Sequence, residues 1–89
     1  MRFQNKVAVF TGAANGIARA TARILAGEGA YLVAVDTSGP DLAALAEEIE
    51  AAGGNVSTMR VDVLDAQQVE TMVDSIVSRF SHIDISEHS

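Results

Sequence analysis

A glycine-containing segment between an apolar run and a helical pattern most constrains how this chain can fold. The run Val7 to Phe10 predicts a buried strand, and TGAANGIA, Thr11 to Ala18, follows it. Gly12 lets the chain turn sharply off the strand, and Gly16 lets a ligand approach the backbone without a Cβ in the way. Free N–H groups at the start of a helix near Ile17 attract anions, so the segment predicts a pyrophosphate site.

The remainder of the chain alternates between predicted strands and helices. Further strands are predicted at Tyr31 to Val35 and Val56 to Val63, and Ile83 to Ile85 begins a fourth. This order predicts an α/β fold, a partial doubly wound parallel sheet with strands in the order 3-2-1 and an incomplete fourth strand. We expect residues 1–85 to form a dinucleotide-binding half-domain and residues 86–89 to form an atypical tail.

The predicted helices have apolar residues at helical spacing. In the first helix Ile17, Ala18, Ile24 and Leu25 recur at helical spacing together with Thr21. In the third helix the apolar residues are Val69, Met72, Val73, Ile76, Val77 and Phe80. Arg19 and Arg23 fall on the other side of the first helix. We interpret them as a solvated face, with phosphate binding as the alternative.

Composition narrows the possible functions. Apolar residues make up 48% of the chain and charged residues 20%, which is typical of a globular protein. There are no cysteines, so disulfides, thiol catalysis and zinc-thiolate sites are excluded. The net charge of −6 disfavours nucleic acid as a partner. The apolar runs are far shorter than the roughly 20 residues of a membrane span, so we expect no membrane contact and a cytoplasmic location.

Asp36 is the second residue that points to a nucleotide. It stands 20 residues after Gly16, at the end of the predicted second strand. A carboxylate in that position accepts hydrogen bonds from ribose hydroxyls. A cap of the second helix, or a solvated loop acid, is the alternative interpretation. A P-loop is excluded because neither lysine nor a hydroxyl residue follows Gly16, and G-x-G-x-x-G fails at Ala14.

The spacing from Thr11 to Ala18 resembles the N-terminal fingerprint of the short-chain dehydrogenase/reductase family, T-G-x-x-x-G-I-[GA]. The pairs Val35-Asp36 and Asp62-Val63 and the segment FSHIDI, Phe80 to Ile85, match other parts of the family pattern, and the resemblance covers residues 5 to 85. It implies a dinucleotide cofactor, with Asp62 and Val63 near the adenine ring. The cofactor-binding residues that it implies are Gly12, Asn15, Gly16, Ile17, Asp36, Asp62 and Val63.

The resemblance also bears on the choice between NAD and NADP. Family members that prefer NADP usually carry a basic residue before the second glycine or just after the acid of the second strand. Those positions here are the neutral Asn15 and Thr37. Because Asp36 would also repel a 2′-phosphate, we predict NAD.

The family's catalytic residues, a Ser, an Asn and a Tyr-x-x-x-Lys pair, follow the fourth strand. Here Tyr31 is the only tyrosine, Val35 stands four residues after it, and Lys6 is the only lysine. No catalytic residue can be assigned, and we expect a truncated NAD-binding fragment of an oxidoreductase that does not catalyse by itself. The alternatives are a stand-alone nucleotide-binding or regulatory module, an inert truncation product, and a methyltransferase using S-adenosylmethionine, whose usual G-x-G spacing is absent.

The last residues of the chain lead to two further expectations. His82, Asp84, Glu87 and His88 are of metal-binding types, but we interpret this segment as a solvated or frayed tail and predict no metal site. With the chain ending inside the fourth strand, the first strand would have a weak partner or none. We therefore expect a marginal monomer that self-associates through that apolar edge.

Overall fold

A computed structural model describes residues 3–13 and 15–88, over which four strands alternate with three helices. All strand pairs are parallel, and the sheet has the order β3-β2-β1-β4. The predicted α/β class and the order 3-2-1 are confirmed, and the fourth strand lies beside the first. The elements are β1 (Val7–Thr11), α1 (Gly16–Gly27), β2 (Tyr31–Asp36), α2 (Gly39–Ala51), β3 (Asn55–Arg60), α3 (Ala66–Phe80) and β4 (Ile85–His88).

β1 is an inner strand, and the prediction that it forms an exposed edge is wrong. It pairs over its whole length with residues 31–35 of β2. On its other side, residues 8–11 pair with residues 85–88 of β4. The few residues after Phe80 are sufficient to form a fourth strand, because the chain turns at Ser81, whose φ is 70°, and begins β4 at Ile85. Within the described residues the outer strands are β3 and β4.

The segment that we predicted as a tail contributes to the sheet. Ser86 is paired with Val9, and β4 continues to His88. The boundary at residue 85, which composition suggested, therefore falls inside the described strand, and the division into half-domain and tail stays a prediction. Ser89 lies outside the described residues.

The strands separate two apolar layers. On one face Ala8, Phe10 and Leu32 pack against the side chains of α1 and α2. On the other face Val7 and Val9 belong to a second cluster, completed by Val33, Val35, Val61, Met72 and Ile76. Because successive residues of a strand point to opposite faces, the apolar run of β1 fills both layers.

The predicted apolar face of α1 is confirmed only in part, since Ala18 is buried and Leu25 packs against the core. The helix packs on the sheet through the small side chains of Ala18, Ala22 and Ala26. Ile17 and Ile24 are 82% and 66% exposed, so the prediction that they lie on the buried face is wrong. Alanines let the helix axis lie close to the sheet, and this contact rotates the two isoleucines away.

The apolar pattern of α3 is confirmed in part. Met72 and Ile76 are buried, and Val69 and Phe80 pack against them. Val73 and Val77, which the pattern assigned to the same face, are 38% and 45% exposed. Among the described residues α3 is the one helix on its face of the sheet, so residues beside its contact line stay exposed.

Asp84, the residue before β4, is hydrogen-bonded to the first residue of β1. Its Oδ2 accepts a hydrogen bond from the Val7 N–H at 2.8 Å, and its own N–H donates to the Val7 carbonyl at 2.9 Å. His82 Nε2 lies 2.9 Å from the same carboxylate, and Lys6 Nζ lies 4.0 Å away. The Val7 hydrogen bond, helped by these two basic groups, holds the pKa of Asp84 below its ordinary value of 3.8.

We predict that Asp84→Asn lowers the free energy of unfolding at pH 7 and that the difference disappears in acid. A lowered folded pKa stabilises the fold above pH 3.8, and this stabilisation is lost as the pH falls through the folded pKa. Urea unfolding at pH 7 and at pH values below 3.8 measures both effects. Asp74→Asn removes the same charge from the exposed surface of α3 and serves as the control. Equal losses of stability in both variants at pH 7 would contradict the prediction.

Candidate functional site

The loop after β1 is a tight turn held against β2. Gly12 has φ 63°, in the left-handed region that favours glycine. The Ala13 N–H donates to the Val35 carbonyl at 3.0 Å, and the Asn15 N–H donates to the Gly12 carbonyl at 3.0 Å. These bonds carry the chain from the carboxyl end of β1 into α1, as the glycine spacing predicted.

Asn15 caps the N-terminus of α1. Its Oδ1 accepts the Ile17 N–H at 3.2 Å, and its carbonyl accepts the Arg19 N–H at 2.8 Å. The helix begins at Gly16, one residue before the predicted start. Asn15 therefore has a structural task in forming the turn, and its predicted contact with a cofactor stays a prediction.

Gly16 leaves open space at the start of α1. A Cβ built on Gly16 would have no heavy atom within 4 Å, apart from its chain neighbours and its own helix backbone. The packing of the chain itself therefore does not require glycine at this position. A ligand phosphate lying against the helix N-terminus would need that space, so the loop fits a bound pyrophosphate group. Ile17, next in sequence, is 82% exposed beside this opening.

Asp36 ends β2 and holds the loop that follows it. Its Oδ1 accepts the Thr37 N–H at 2.7 Å and the Ser38 N–H at 3.2 Å. The cap of α2 is Ser38, whose Oγ accepts the Asp41 N–H at 3.4 Å. The interpretation of Asp36 as that cap is therefore wrong, and the carboxylate lies at the strand end where nucleotide-binding sheets take a ribose.

β3 is shorter than predicted, and Asp62 and Val63 lie in the loop that follows it. The Val61 N–H still donates to the Asp36 carbonyl at 3.1 Å. Beyond that point the Asp62 N–H donates to Gln68 Oε1 at 3.0 Å, and its Oδ1 accepts the Leu64 N–H at 2.9 Å. These side-chain bonds replace the ladder, so the strand ends at Arg60 rather than at Val63.

The sequence did not predict two residues at the carboxyl edge of the sheet, Arg60 and Gln68, as residues of the candidate site. Arg60 Nε donates to the Thr37 carbonyl at 3.0 Å, and Gln68 holds the backbone of Asp62. Both line an open cavity of about 250 Å³ together with Thr37, Val61 and Asp62. For Gln68 the sequence does carry a signal, since its spacing from Asp65 is typical of a capping box. Arg60 could be found only from strand pairing, which makes it the neighbour of Asp36.

The seven predicted cofactor residues all lie at the carboxyl edge of the sheet. Hydrogen bonds join the loop of β1 to the end of β2 and the end of β2 to the loop of β3. The N-terminus of α1, the Asp36 carboxylate and the polar cavity beside Asp62 therefore lie next to one another along this edge. The residues brought together are Gly12, Asn15, Gly16, Ile17, Asp36, Asp62 and Val63.

Arg19 and Arg23 extend toward α2. Arg19 forms a bidentate ion pair with Glu48, in which Nε lies 3.3 Å from Oε2. Arg23 Nη1 lies 3.7 Å from the same carboxylate. The hydrogen bond between Arg19 and Glu48 raises the pKa of Arg19 and lowers the pKa of Glu48. These cations therefore link α1 to α2 through Glu48, while the Arg23 side chain stays 54% exposed, so the predicted solvated face is confirmed in part.

A larger cavity, of about 510 Å³, lies at the opposite, amino edge of the sheet. It contains none of the predicted cofactor residues; its lining includes Lys6, Tyr31, Asn55, Phe80 and His82. We place the candidate site at the carboxyl edge despite the smaller cavity there, because ligands of open parallel sheets bind outside the carboxyl ends of the strands.

Over residues 3–13 and 15–86, no group of three His, Cys, Asp or Glu side chains could hold a metal ion, and the side chains of Glu87 and His88 lie outside the described part. In the same ranges no helix has the length and apolar character needed to cross a membrane.

Comparison with known proteins matches the chain to a single family. A family model described as short chain dehydrogenase matches residues 6–86. The 3-oxoacyl-(acyl-carrier-protein) reductase FabG of Thermotoga maritima is 38% identical over 85 residues, which cover 96% of this chain and 35% of that protein. The chain spans about a third of the length of such relatives.

Solved structures match as well. A metagenomic short-chain oxidoreductase in complex with NADP superposes with a TM-score of 0.93 at 29% identity, covering 97% of this chain and 39% of the other. NAD⁺-bound xylitol dehydrogenase gives 0.91 at 31% identity, covering 97% of this chain and 33% of the other.

We predict that Gly16→Ala preserves stability and weakens binding of ADP-ribose about tenfold or more. Alanine favours the helix by roughly 0.5–1 kcal/mol over glycine, but its methyl group would occupy the space needed by the pyrophosphate. Titration calorimetry and thermal unfolding measure the two effects. Gly27→Ala, also helical with no heavy atom within 4 Å of the added Cβ, is the control. Unchanged affinity in Gly16→Ala would remove the assigned role of this glycine.

Proposed function

The chain belongs to the short-chain dehydrogenase/reductase family, and we propose that it binds the adenosine half of NAD within an oxidoreductase. In the complete enzyme, hydride would pass between the nicotinamide and an alcohol or carbonyl substrate. The observation that carries the proposal is the pairing of the Gly12 turn and the open helix start at Gly16 with Asp36, one strand away. This arrangement suits a pyrophosphate next to a ribose.

The preference for NAD is part of the proposal. Proteins of this family bind NAD or NADP, and the two structural neighbours described above carry one cofactor each. The support for NAD is local: Asp36 ends β2, and both Asn15 and Thr37 are neutral. A carboxylate accepts hydrogen bonds from two ribose hydroxyls but repels a 2′-phosphate.

We further propose that these 89 residues do not catalyse hydride transfer by themselves. The only tyrosine, Tyr31, begins β2 at the amino edge of the sheet, five residues along the strand from Asp36. Its hydroxyl is bonded to Ser57 Oγ at 2.9 Å and to Arg79 Nη2 at 2.8 Å. A tyrosine in this position is remote from the candidate site and fits a structural role.

A cytoplasmic location and self-association complete the proposal. Since β1 is paired on both sides, association would use the outer edge of β3 or β4 instead. A stand-alone binding module remains the second candidate, because every residue assigned to adenosine binding lies within these 89 residues.

We predict that the chain binds ADP-ribose about as strongly as NAD, with a dissociation constant in the millimolar range, about −4 kcal/mol. The adenosine, its ribose and the pyrophosphate are the parts that this edge can contact, so the nicotinamide would add little. Titration calorimetry or ligand-observed NMR with both compounds provides the measurement. A clear preference for NAD would contradict the half-site, and dehydrogenase turnover by the purified chain would contradict the absence of catalysis.

We also predict that Asp36→Ala weakens ADP-ribose binding about tenfold, since loss of a charged hydrogen-bond partner costs about 1.5–3 kcal/mol. Asp74→Ala removes an exposed acid of α3 and controls for the change in net charge. Circular dichroism of both variants tests whether the fold is retained. Folded Asp36→Ala with full affinity would exclude the carboxylate from the ribose site.

A further inference from the structure

Arg60 stands beside Asp36 at the carboxyl edge of the sheet. The two residues are register partners in the parallel ladder between β2 and β3. Partners in a parallel ladder lie about 4.8 Å apart and point to the same face of the sheet. The basic side chain of Arg60 therefore lies next to Asp36, the acid proposed to favour NAD over NADP.

The guanidinium of Arg60 is held at this position through one of its donors. Nε donates to the Thr37 carbonyl at 3.0 Å, across the mouth of the loop that follows Asp36. Within residues 3–13 and 15–88 the structure gives the Arg60 side chain no ion pair and no further hydrogen bond. The four N–H donors of its two terminal nitrogens therefore have no protein partner in that part of the chain.

The carboxylate beside Arg60 is already engaged by its own loop. Oδ1 of Asp36 accepts the Thr37 and Ser38 N–H groups at 2.7 and 3.2 Å. Backbone donors of this kind offset part of the negative charge of a carboxylate. The cavity of about 250 Å³ that Arg60 lines with Thr37 and Asp62 is open next to this pair.

We propose that Arg60 is a specificity-determining residue. Its guanidinium gives the ribose subsite affinity for a 2′-phosphate and so weakens the preference for NAD over NADP. The inference rests on the proposed function, because it assumes that the ribose lies at Asp36. A guanidinium with paired donors matches phosphate geometry, and its Nε bond to Thr37 keeps it at the subsite. Although Asn15 and Thr37 are neutral, the next strand therefore contributes a cation to the subsite.

The test compares ADP-ribose with 2′-phospho-ADP-ribose by titration calorimetry on the 89-residue chain. For Arg60→Gln we expect affinity for the 2′-phosphorylated ligand to fall about tenfold and affinity for ADP-ribose to change less than about twofold. The salt dependence of binding the phosphorylated ligand should decrease as well, because one cation has been removed. Arg23→Gln, which removes an exposed cation of α1 next to Glu48, should leave the affinity ratio unchanged.

Arg60→Lys separates charge from positioning. Lysine keeps the charge but lacks the paired donors and the Nε bond, so we expect Arg60→Lys to lose less affinity for the 2′-phosphorylated ligand than Arg60→Gln loses. Equal losses for both ligands in Arg60→Gln and Arg60→Lys would show that Arg60 only holds the Thr37 loop, and would refute the proposal. An unchanged ratio in Arg60→Gln would also refute it, while binding of ADP-ribose by the wild-type chain would leave the proposed function intact. If the folded wild-type chain binds neither ligand, both proposals fail.

Discussion

The hydrogen-bond ladder that β1 shares with β2 and β4 is the interaction on which the rest of this structure depends. All five residues of β1 are buried, and the strand has a neighbour on each side. Because the strands are parallel and in register, their carboxyl ends meet at one edge. Thr11 is paired with Val35, and Asp36 with Arg60. Each residue of the candidate site owes its position to this alignment.

Side-chain oxygens then shape the loops that leave this edge. Asn15, Asp36 and Asp62 each accept a backbone N–H from a residue one or two positions further along. Such bonds give a loop a defined conformation without a ligand. Because the loops are ordered beforehand, less conformational entropy would be lost when a nucleotide binds. Residues with binding roles in the proposal thus also stabilise the loops that carry them.

The amino edge of the sheet has a different character. Arg79 donates to Ser57 Oγ and the Tyr31 hydroxyl at 2.8 Å each and lies over the ring of Phe80, 4.9 Å from its centroid. Tyr31 and Phe80 have ring centroids 4.7 Å apart. With the Asp84 bond to Val7, these contacts connect α3 and β4 to the inner strands. The amino edge supports the fold, and the proposed binding residues lie at the other edge.

Local pattern was enough to predict several parts of the molecule. The order of strands and helices, the Gly12 turn and the position of Asp36 at the end of β2 follow from short-range spacing and from residue types with few conformational options. The pattern gave wrong predictions where competing tertiary contacts decide which side chains are buried or where a strand ends. For α1 it assigned Ile17 and Ile24 to the buried face, but the smaller alanines allow a closer contact with the sheet. Similarly, it extended β3 to Val63 because the competing Gln68 bond is not visible in the spacing.

The sequence by itself determined the fold class, the glycine turn after β1 and the acid at the end of β2, because each depends on residues close together along the chain. Only the tertiary structure decided that β1 is an inner strand, since its pairing with β4 joins residues more than seventy positions apart. It also decided that Arg60 adjoins Asp36 and reaches the Thr37 carbonyl. Strand register brings these residues together, and register is set by burial and hydrogen bonding across the whole sheet.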